Sequence, residues 1–267
     1  MDAEIGIIGG SGFYSLLSGA QTQEVTTRYG SPSSMISTGL LGGKRVAFLA
    51  RHGEKHTIPP HKVPYRANID ALSNLGVKRI LASNAVGSLK EEYAPGDFVF
   101  FDQFVNMTHG RQDTFYDEGV VVHISTAHPY CDYLRKEAAA VADEMDIKYH
   151  ETGTVVVING PRFSTKAESR QFSTLGFDVI NMTQYPEAAL AREKALCYLG
   201  VGIVTDYDAG LEGRDDIKFV TNAEVLRVFE QNIGRVKELM QKLVPRIKEE
   251  RDCACPHALE GAIMTKR

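Results

Sequence analysis

The sequence predicts a single α/β domain in which a central mixed β-sheet is flanked by helices. Short apolar or β-branched runs alternate with segments whose apolar residues recur at helical spacing. This order is typical of a parallel or mixed sheet with helices on both faces. The chain also has no internal repeat, low-complexity tract or linker that would divide its 267 residues, and single α/β domains reach this length.

The expected elements follow from these two patterns. Strands are predicted at residues 5–8, 34–41, 45–50, 77–82, 97–101, 154–158, 178–180 and 198–204, of which the second and third form a hairpin around two glycines. Helices are predicted at residues 62–75, 131–145, 165–172, 186–196 and 222–250. In such sheets ligands bind beyond the carboxyl ends of strands, and the polar motifs of this chain lie there.

Composition and charge exclude several classes of protein. The net charge of −4 argues against a general nucleic-acid or membrane-surface binder. No apolar stretch approaches the roughly 20 residues of a membrane helix, and residues 1–4 lack a basic targeting pattern, so a cytoplasmic protein is expected. Four cysteines in a chain of this length do not make a disulfide scaffold.

The first candidate site is the glycine loop GGSG, which follows the first strand. Glycines allow backbone N–H groups to approach an anion, and Ser11 adds a hydroxyl donor. An NAD-binding oxidoreductase is the rival interpretation, because dinucleotide sites also begin with a glycine loop. That motif requires a third glycine where this chain has Ser15. A plain structural turn is also open.

The second candidate is the motif Arg51-His52-Gly53 after a predicted strand. Arg51 offers bidentate donors for an oxyanion, and His52 offers a further donor. An exposed arginine beside a structural histidine is the alternative. His52, His56 and His61 also raise the question of a metal site. The intervening glycine and prolines disfavour the helix that such ligation needs, so no metal is expected.

Three further motifs, SNAVGS, GPRFS and NMT, each follow a predicted strand. In the first, which is predicted as a loop at residues 83–87, small residues allow close backbone approach and Asn84 offers an amide donor. In the second, Phe163 can stack on a flat ring, although an ordinary core aromatic is the alternative. In the third, Met182 suits the face of a sugar and Thr183 suits an anion.

The sixth motif is TDYD, at the end of the last predicted strand. Because strand side chains alternate, Asp206 and Asp208 are expected on the same side. Two close carboxylates do not both ionise easily, so one pKa should rise and one proton should be retained. Such a pair offers one donor and one acceptor, which complements N7 and the 6-amino group of adenine. A solvated acidic strand end is the alternative.

Taken in order, these six motifs resemble those of the trimeric purine nucleoside phosphorylase superfamily, most closely the members that cleave 5′-methylthioadenosine. The resemblance implies a phosphorylase fold with a partly barrel-like sheet over residues 1–250, followed by a tail at 251–267 that contains Cys-x-Cys. The matching segments are IGIIGGSG, RHG with HTIPPHKVPYRANI, NAVGSL, GDFVFFDQF, GPRFSTKAES, VINMTQYPEAALARE and TDYDAG.

The resemblance also implies a role for each candidate residue. The residues implied to bind phosphate are Ser11, Arg51, His52, Asn84, Ala85 and Thr183. Those implied to bind the nucleoside are Phe163, Met182, His56, Val225, Asp206 and Asp208, with Asp206 and Asp208 also the catalytic pair. His123 resembles a histidine that a neighbouring subunit contributes to the methylthio pocket. A homotrimer with shared sites is therefore expected, and a hexamer of two trimers stays open.

The expected reaction is phosphorolysis of 5′-methylthioadenosine to adenine and 5-methylthioribose 1-phosphate. Phosphate attacks C1′ while Asp206 protonates N7 of the leaving base, and no metal or organic cofactor is required. The alternatives are a sister phosphorylase acting on adenosine, inosine or methylthioinosine and, more distantly, the NAD-binding oxidoreductase.

The cysteines leave several interpretations open. The resemblance implies that Cys131 and Cys197 match positions that form a disulfide in some members, and a disulfide between Cys253 and Cys255 also stays open. Otherwise two ordinary core thiols are expected in a cytosolic protein. A metal site made by Cys253, Cys255 and His257 is a further alternative.

Overall fold

A computed structural model describes residues 3–211, 214, 216, 217 and 219–265, and the side chains of Ser11 and Tyr14 lie outside that description. Within this part of the chain, one 11-stranded sheet is flanked by helices. The strands are β1 Ile5–Gly9, β2 Ser18–Gln23, β3 Ile36–Leu41, β4 Lys44–Ala50, β5 Arg79–Ser88, β6 Phe98–Phe100, β7 Gln103–Met107, β8 Tyr149–His150, β9 Thr154–Ile158, β10 Val179–Asn181 and β11 Cys197–Asp206. The α-helices are α1 Tyr65–Asn74, α2 Asp132–Glu144, α3 Lys166–Thr174, α4 Gln184–Glu193 and α5 Asn222–Arg246.

The sheet is mixed and branches at β5. Its main path runs β2-β3-β4-β1-β5-β10-β9-β7, and β11 pairs with both β5 and β6. The first half of β5 lies parallel to β1 on one edge and to β11 on the other. Beyond Ala82, where β1 no longer pairs, Gly87 and Ser88 continue antiparallel to β10. The predicted mixed sheet is therefore confirmed, and the branch brings the ends of β5, β10 and β11 together.

Helices cover both faces of the sheet, as predicted. On β4, Val46 and Phe48 belong to a buried cluster that includes residues of α2 and α5. The intervening residues Ala47 and Leu49 belong to a second buried cluster that includes residues of α1 and α4. Alternation along one strand thus divides its apolar side chains between two cores.

Two predictions of secondary structure were wrong, and the strands β2, β7 and β8 were not predicted. The segment at residues 83–87, expected as a loop, continues β5 and pairs with β11 as far as Gly87. Pairing on both edges overrides the low strand preference of these small residues. Helix α5 ends at Arg246 rather than at residue 250, with Pro245 in its last turn. Strand β2 is exposed over most of its length, so it lacks the apolar alternation that would have predicted it.

The C-terminal tail packs against the rest of the chain. The Arg79 guanidinium donates to the backbone carbonyls of Lys248, Glu249 and Glu250, which follow α5 and lead into the tail. Ile263 forms an antiparallel bridge with Val122. The boundary between a domain at 1–250 and a tail at 251–267 stays a prediction. Among the described residues, no helix is long and apolar enough to cross a membrane.

All four cysteines are free thiols. The disulfide between Cys131 and Cys197 that the resemblance implied is therefore absent from the structure. His257 is exposed, and its Nδ1 lies at hydrogen-bonding distance of the Glu260 carboxylate, so it does not join Cys253 and Cys255.

Candidate active site

A cavity of about 630 Å³ lies at the ends of β4, β5, β10 and β11, beside the N-terminal part of α5. The structure brings nearly all the predicted site residues into its wall. Those that line it are Arg51, His52, His56, Asn84, Ala85, Phe163, Met182, Thr183, Asp206, Asp208 and Val225. Of the two others, Ser11 has a side chain outside the described part of the structure, and His123 lies elsewhere.

His123 is exposed and lies beside the tail. Its backbone N–H donates to the carbonyl oxygen of Ala262 at 2.9 Å. Because its side chain does not line the cavity of its own chain, a catalytic contribution requires a second subunit.

The cationic part of the cavity is built on Arg51, which directly follows β4. Its guanidinium donates twice to Glu187 of α4, at 2.7 and 2.8 Å, and once to the carbonyl oxygen of Ser83 at 2.9 Å. Burial disfavours the charge on Arg51, but the Glu187 carboxylate outweighs that effect and raises its pKa. Tyr198 donates a further hydrogen bond to Glu187 at 2.6 Å. The guanidinium is therefore fixed, charged and turned toward the cavity by a fully buried partner.

Glu187 was missed from the sequence, where it was treated only as part of a helix. The available signal was an acidic residue between Pro186 and a run of alanines. A carboxylate on such an apolar helix face requires a buried partner, and Arg51 is that partner.

Polar side chains from β5 and β10 lie beside Arg51. The Thr183 hydroxyl donates to the Asn84 amide oxygen at 3.1 Å, and the Asn181 amide oxygen accepts from the Thr183 backbone N–H at 3.2 Å. The buried Ser83 Oγ and Asn181 Nδ2 form no hydrogen bond with the described part of the chain. Both residues line the cavity, so two polar groups at its wall keep unused hydrogen-bonding capacity, although the sequence motifs assigned neither residue a role.

His52 differs from its predicted role as an anion donor. Its Nδ1 lies 2.8 Å from the Ile58 carbonyl oxygen, which accepts only, so Nδ1 carries the proton. Burial, aided by the charge of Arg51, lowers the pKa of His52 to about 4. The ring is therefore neutral at pH 7, and its Nε2 is an acceptor. The His56 ring stacks on it with a centroid separation of 4.5 Å.

Asp206 ends β11 and is buried. Its Oδ2 accepts from the Thr205 hydroxyl and its Oδ1 accepts from the Asp208 backbone N–H, each at 2.7 Å. Burial raises the pKa of Asp206 to about 7, and these hydrogen bonds partly oppose it. The predicted rise is found, but its main cause is burial rather than repulsion by Asp208, which has a smaller effect.

Asp208 lines the cavity together with Asp206, as predicted, but strand alternation is not the cause. The residue lies beyond β11 with a φ of 45°, and the pairing of β11 with β5 shifts register between Val204 and Asp206. This bulge and the left-handed turn, rather than a continuous strand, bring Asp208 to the cavity beside Asp206. Ser164 donates a short hydrogen bond to Asp208 Oδ2, a contact that the sequence did not predict.

Gly87 of β5 makes room for the acidic pair. A Cβ at this position would lie 3.0 Å from Asp206 Oδ1 and 3.2 Å from the Asp208 Cα. The glycine in the NAVGSL motif is therefore explained by close approach of the two acidic residues.

Apolar side chains of α5 form another part of the wall. Val225, Leu226 and Phe229 line the cavity, with Asn222 beside them. Phe163, on the loop after β9, also lines it and is 38% exposed. A ring at the mouth of a cavity is available for stacking rather than buried in the core.

The structure does not support two of the alternatives, a dinucleotide site at the glycine loop and a metal site made by histidines. The glycine loop leads into a short 3-10 helix, Ser11–Leu16, instead of the α-helix that a dinucleotide site needs. In the described part of the chain, the only group of metal-binding side chains consists of cysteines, so His52, His56 and His61 do not form one.

Nearly the whole chain is similar in sequence to known phosphorylases. Residues 4–245 match the Phosphorylase superfamily, and this chain belongs to that superfamily. It is 51% identical to the S-methyl-5′-thioadenosine phosphorylase of Thermofilum pendens, over 98% of each chain. It is 50% identical to the S-methyl-5′-thioadenosine phosphorylase of Pyrococcus furiosus, over 96% of this chain and 98% of the relative.

Crystal structures of similar proteins agree with this assignment. A methylthioadenosine phosphorylase from an Antarctic soil metagenomic library has a TM-score of 0.92 and 38% identity, over 99% of this chain and 93% of that chain. A mutant adenosine/methylthioadenosine phosphorylase from Schistosoma mansoni, in complex with adenine, has a TM-score of 0.92 and 36% identity, over 98% and 99% of the two chains. The resemblance inferred from the motifs is confirmed.

Proposed function

We propose that this chain cleaves S-methyl-5′-thioadenosine with inorganic phosphate, producing adenine and 5-methylthioribose 1-phosphate. The observation that carries the proposal is a single cavity lined by both a charged, fixed Arg51 and a buried carboxylate pair. A phosphorylase needs both, because it must hold an attacking anion and also protonate a leaving base.

The acidic pair supports adenine as the base. With a pKa of about 7, Asp206 retains a proton in much of the population at neutral pH. It can then donate to N7, while Asp208 accepts from the 6-amino group, with Ser164 holding its other oxygen. A 6-oxopurine presents an acceptor where adenine presents the amino group, so it leaves Asp208 without a donor.

The groups around Arg51 support phosphate as the nucleophile. Arg51, Ser83, Asn84 and Thr183 all line the cavity, Arg51 donates to the Ser83 carbonyl and Thr183 donates to the Asn84 amide oxygen. Ser11 stays a predicted contributor. His52 Nε2 can accept from the P–O–H group of hydrogen phosphate, since the neutral ring has no proton there. This arrangement favours a singly protonated phosphate over a fully ionised anion.

The chemistry needs no covalent intermediate with the protein. A phosphate oxygen forms a bond to C1′ as the C1′–N9 bond breaks, and the electron pair passes to the purine. Asp206 transfers its proton to N7, so adenine leaves as a neutral molecule. The phosphate charge stabilises the cationic sugar in the transition state. No metal or organic cofactor enters this proposed reaction.

The 5′ substituent is proposed to lie against α5. Val225, Leu226 and Phe229 offer the methylthio group an apolar surface. Asn222 beside them can hydrogen-bond to a hydroxyl, which makes adenosine the second candidate substrate. His56 is the proposed polar boundary between this region and the sugar.

The active assembly is proposed to be a homotrimer with shared sites, to which His123 of a neighbouring subunit contributes. Exposed apolar side chains beside His123 support a contact surface there: Val120, Val121, Ile263 and Met264 are 39 to 60% exposed. A hexamer of two trimers stays open, and cytoplasmic location stays a prediction.

A direct assay tests the reaction. Purified protein is incubated with methylthioadenosine, adenosine or inosine, with and without phosphate, and release of the free base is measured. We expect phosphate-dependent cleavage with the highest kcat/KM for methylthioadenosine. Faster cleavage of inosine than of methylthioadenosine contradicts the proposal, as does cleavage that does not depend on phosphate.

A further inference from the structure

All four cysteines of the chain meet at one place outside the cavity. Cys131 immediately precedes α2, Cys197 is the first residue of β11, and Cys253 and Cys255 lie in the tail. Their Sγ atoms all lie within 4.8 Å of one another, and those of Cys197 and Cys253 are 3.4 Å apart. None of the four lines the catalytic cavity. We call this group the cysteine cluster.

We propose that the cysteine cluster is a structural zinc site. In a tetrahedral site with Zn–S bonds of about 2.3 Å, the sulfur atoms lie about 3.8 Å apart. In the cluster, the Cys197 and Cys253 sulfur atoms are 3.4 Å apart and every pair lies within 4.8 Å, so the separations are close to that value. Four thiolates can converge on one zinc ion with only small side-chain adjustments.

The identity and burial of the donors favour zinc. Cys131, Cys197 and Cys255 are buried and Cys253 is partly buried, so a bound ion is shielded from solvent. Four thiolates select thiophilic metals rather than magnesium or calcium. They also close the coordination sphere of zinc, leaving no position for water or substrate, which is typical of structural rather than catalytic sites.

The ligand set differs from the one considered in the sequence. His257 was grouped there with Cys253 and Cys255, but its ring is paired with Glu260 at the surface. Cys131 and Cys197, more than 50 residues earlier in the chain, take the remaining positions. Only the packing of the tail against α2 and β11 brings the four together.

A zinc ion at this position would fasten the tail to the domain. The tail then continues to Ile263, which bridges to Val122 beside His123. The cluster would thus stabilise the segment that carries the proposed intersubunit histidine, without contacting substrate.

Metal content tests the inference directly. The full chain is expressed with zinc in the medium, purified under argon with a thiol reductant, and analysed by elemental and native mass spectrometry. We expect about one zinc ion per chain. Replacement by Co²⁺ should produce the visible absorption of tetrahedral cobalt thiolate, a readout independent of enzymatic activity. Zinc near background, iron in place of zinc, or two disulfides in the purified chain overturns the proposal.

A matched pair of variants tests whether the zinc ion is bound by the cysteine cluster. Cys253→Ser removes a partly buried ligand and should lower the zinc content by roughly ten-fold or more, with a lower Tm. His257→Ala is the control, because it alters the same tail without touching the cluster, and it should retain full zinc. Equal zinc content in the two variants also overturns the proposal. If Cys253→Ser does not fold, the metal content and the cobalt spectrum of the unmodified chain still test whether the cysteine cluster binds zinc.

Discussion

At the scale of single residues, Asp206 combines a buried position with the proposed task of giving up a proton. The hydrogen bonds from Thr205 and the Asp208 backbone hold its side chain in place. Burial in the same position keeps the proton on it near neutral pH. The group is therefore held in both the geometry and the protonation state that a general acid requires.

Replacing Asp206 by Asn should abolish proton donation while preserving shape. We expect kcat/KM for methylthioadenosine to fall by about 10²- to 10⁴-fold, the usual contribution of a general acid. The measurement is initial-rate kinetics with saturating phosphate. Asp146→Asn is the control, since Asp146 is exposed and lies outside the cavity. Near-normal kcat/KM in Asp206→Asn would show that another group protonates the base.

The raised pKa of Asp206 also predicts how stability changes with pH. Its pKa is about 7 in the folded chain against an ordinary 3.8, so the folded state binds the proton more tightly. The resulting stabilisation is full below the unfolded pKa and is lost as pH rises through about 7. The free energy of unfolding of the unmodified chain should therefore fall, relative to Asp206→Asn, between about pH 4 and pH 7 and level off above that. Denaturant titrations of both proteins measure this, and parallel pH dependences would refute it.

At the scale of elements, the position of the cationic subsite depends on the contact between β4 and α4. Arg51 and Glu187 are 136 residues apart in sequence, and both side chains are almost completely buried. An unpaired charge in such a position is strongly destabilising. The pair therefore both holds the helix against the strand and aims the guanidinium.

Glu187→Gln should leave the Arg51 charge without its partner. We expect the free energy of unfolding to fall by about 3–5 kcal/mol. Phosphate should raise the Tm of the variant more than that of the unmodified chain, because the bound anion replaces part of the lost charge. Calorimetry with and without phosphate measures both effects.

The control for that variant is Glu144→Gln. Glu144 forms an ion pair with Arg246, but its side chain is 51% exposed. Exposed pairs contribute about 0–1 kcal/mol, so stability should change little. Equal effects of the two substitutions would mean that the buried pair does not support the fold in this way.

At the scale of the whole molecule, the proposed trimer divides each site between two chains. Asp206 lies in the cavity of its own chain, whereas His123 is exposed beside the tail. A chain with Asp206→Asn retains the histidine that it offers to its neighbour, and a chain with His123→Ala retains a complete acidic pair.

Co-expression of these two chains should therefore restore activity. Mixed trimers contain some sites with Asp206 from one chain and His123 from another, so kcat per trimer should exceed that of either variant alone. Light scattering establishes the assembly, and assays of differently tagged, co-purified trimers measure the recovery. Separately purified variants mixed without subunit exchange are the control. Absence of recovery in verified mixed trimers contradicts the shared site.

The sequence predicted most elements of the fold because local residue types and their spacing indicate strands and helices. Strand β9 was predicted with its observed bounds, Thr154–Ile158, since a β-branched run favours a strand wherever it is placed. Residues 83–87 were predicted as a loop, and their small side chains carry little strand preference. Their strand conformation comes from neighbours on both edges of β5, which no local pattern records.

By itself, the sequence determined the family, the sheet with its covering helices, and the residue types that line the cavity, because these follow from local periodicity and contiguous motifs. Tertiary structure decided how the side chains of the cavity are paired, positioned and protonated. It paired Arg51 with Glu187. It also placed Asp208 beside Asp206 through a bulge rather than through strand alternation. In His52 it put the ring proton on Nδ1, so that Nε2 is an acceptor. Burial and through-space contacts set these properties, and both arise only when distant segments pack together.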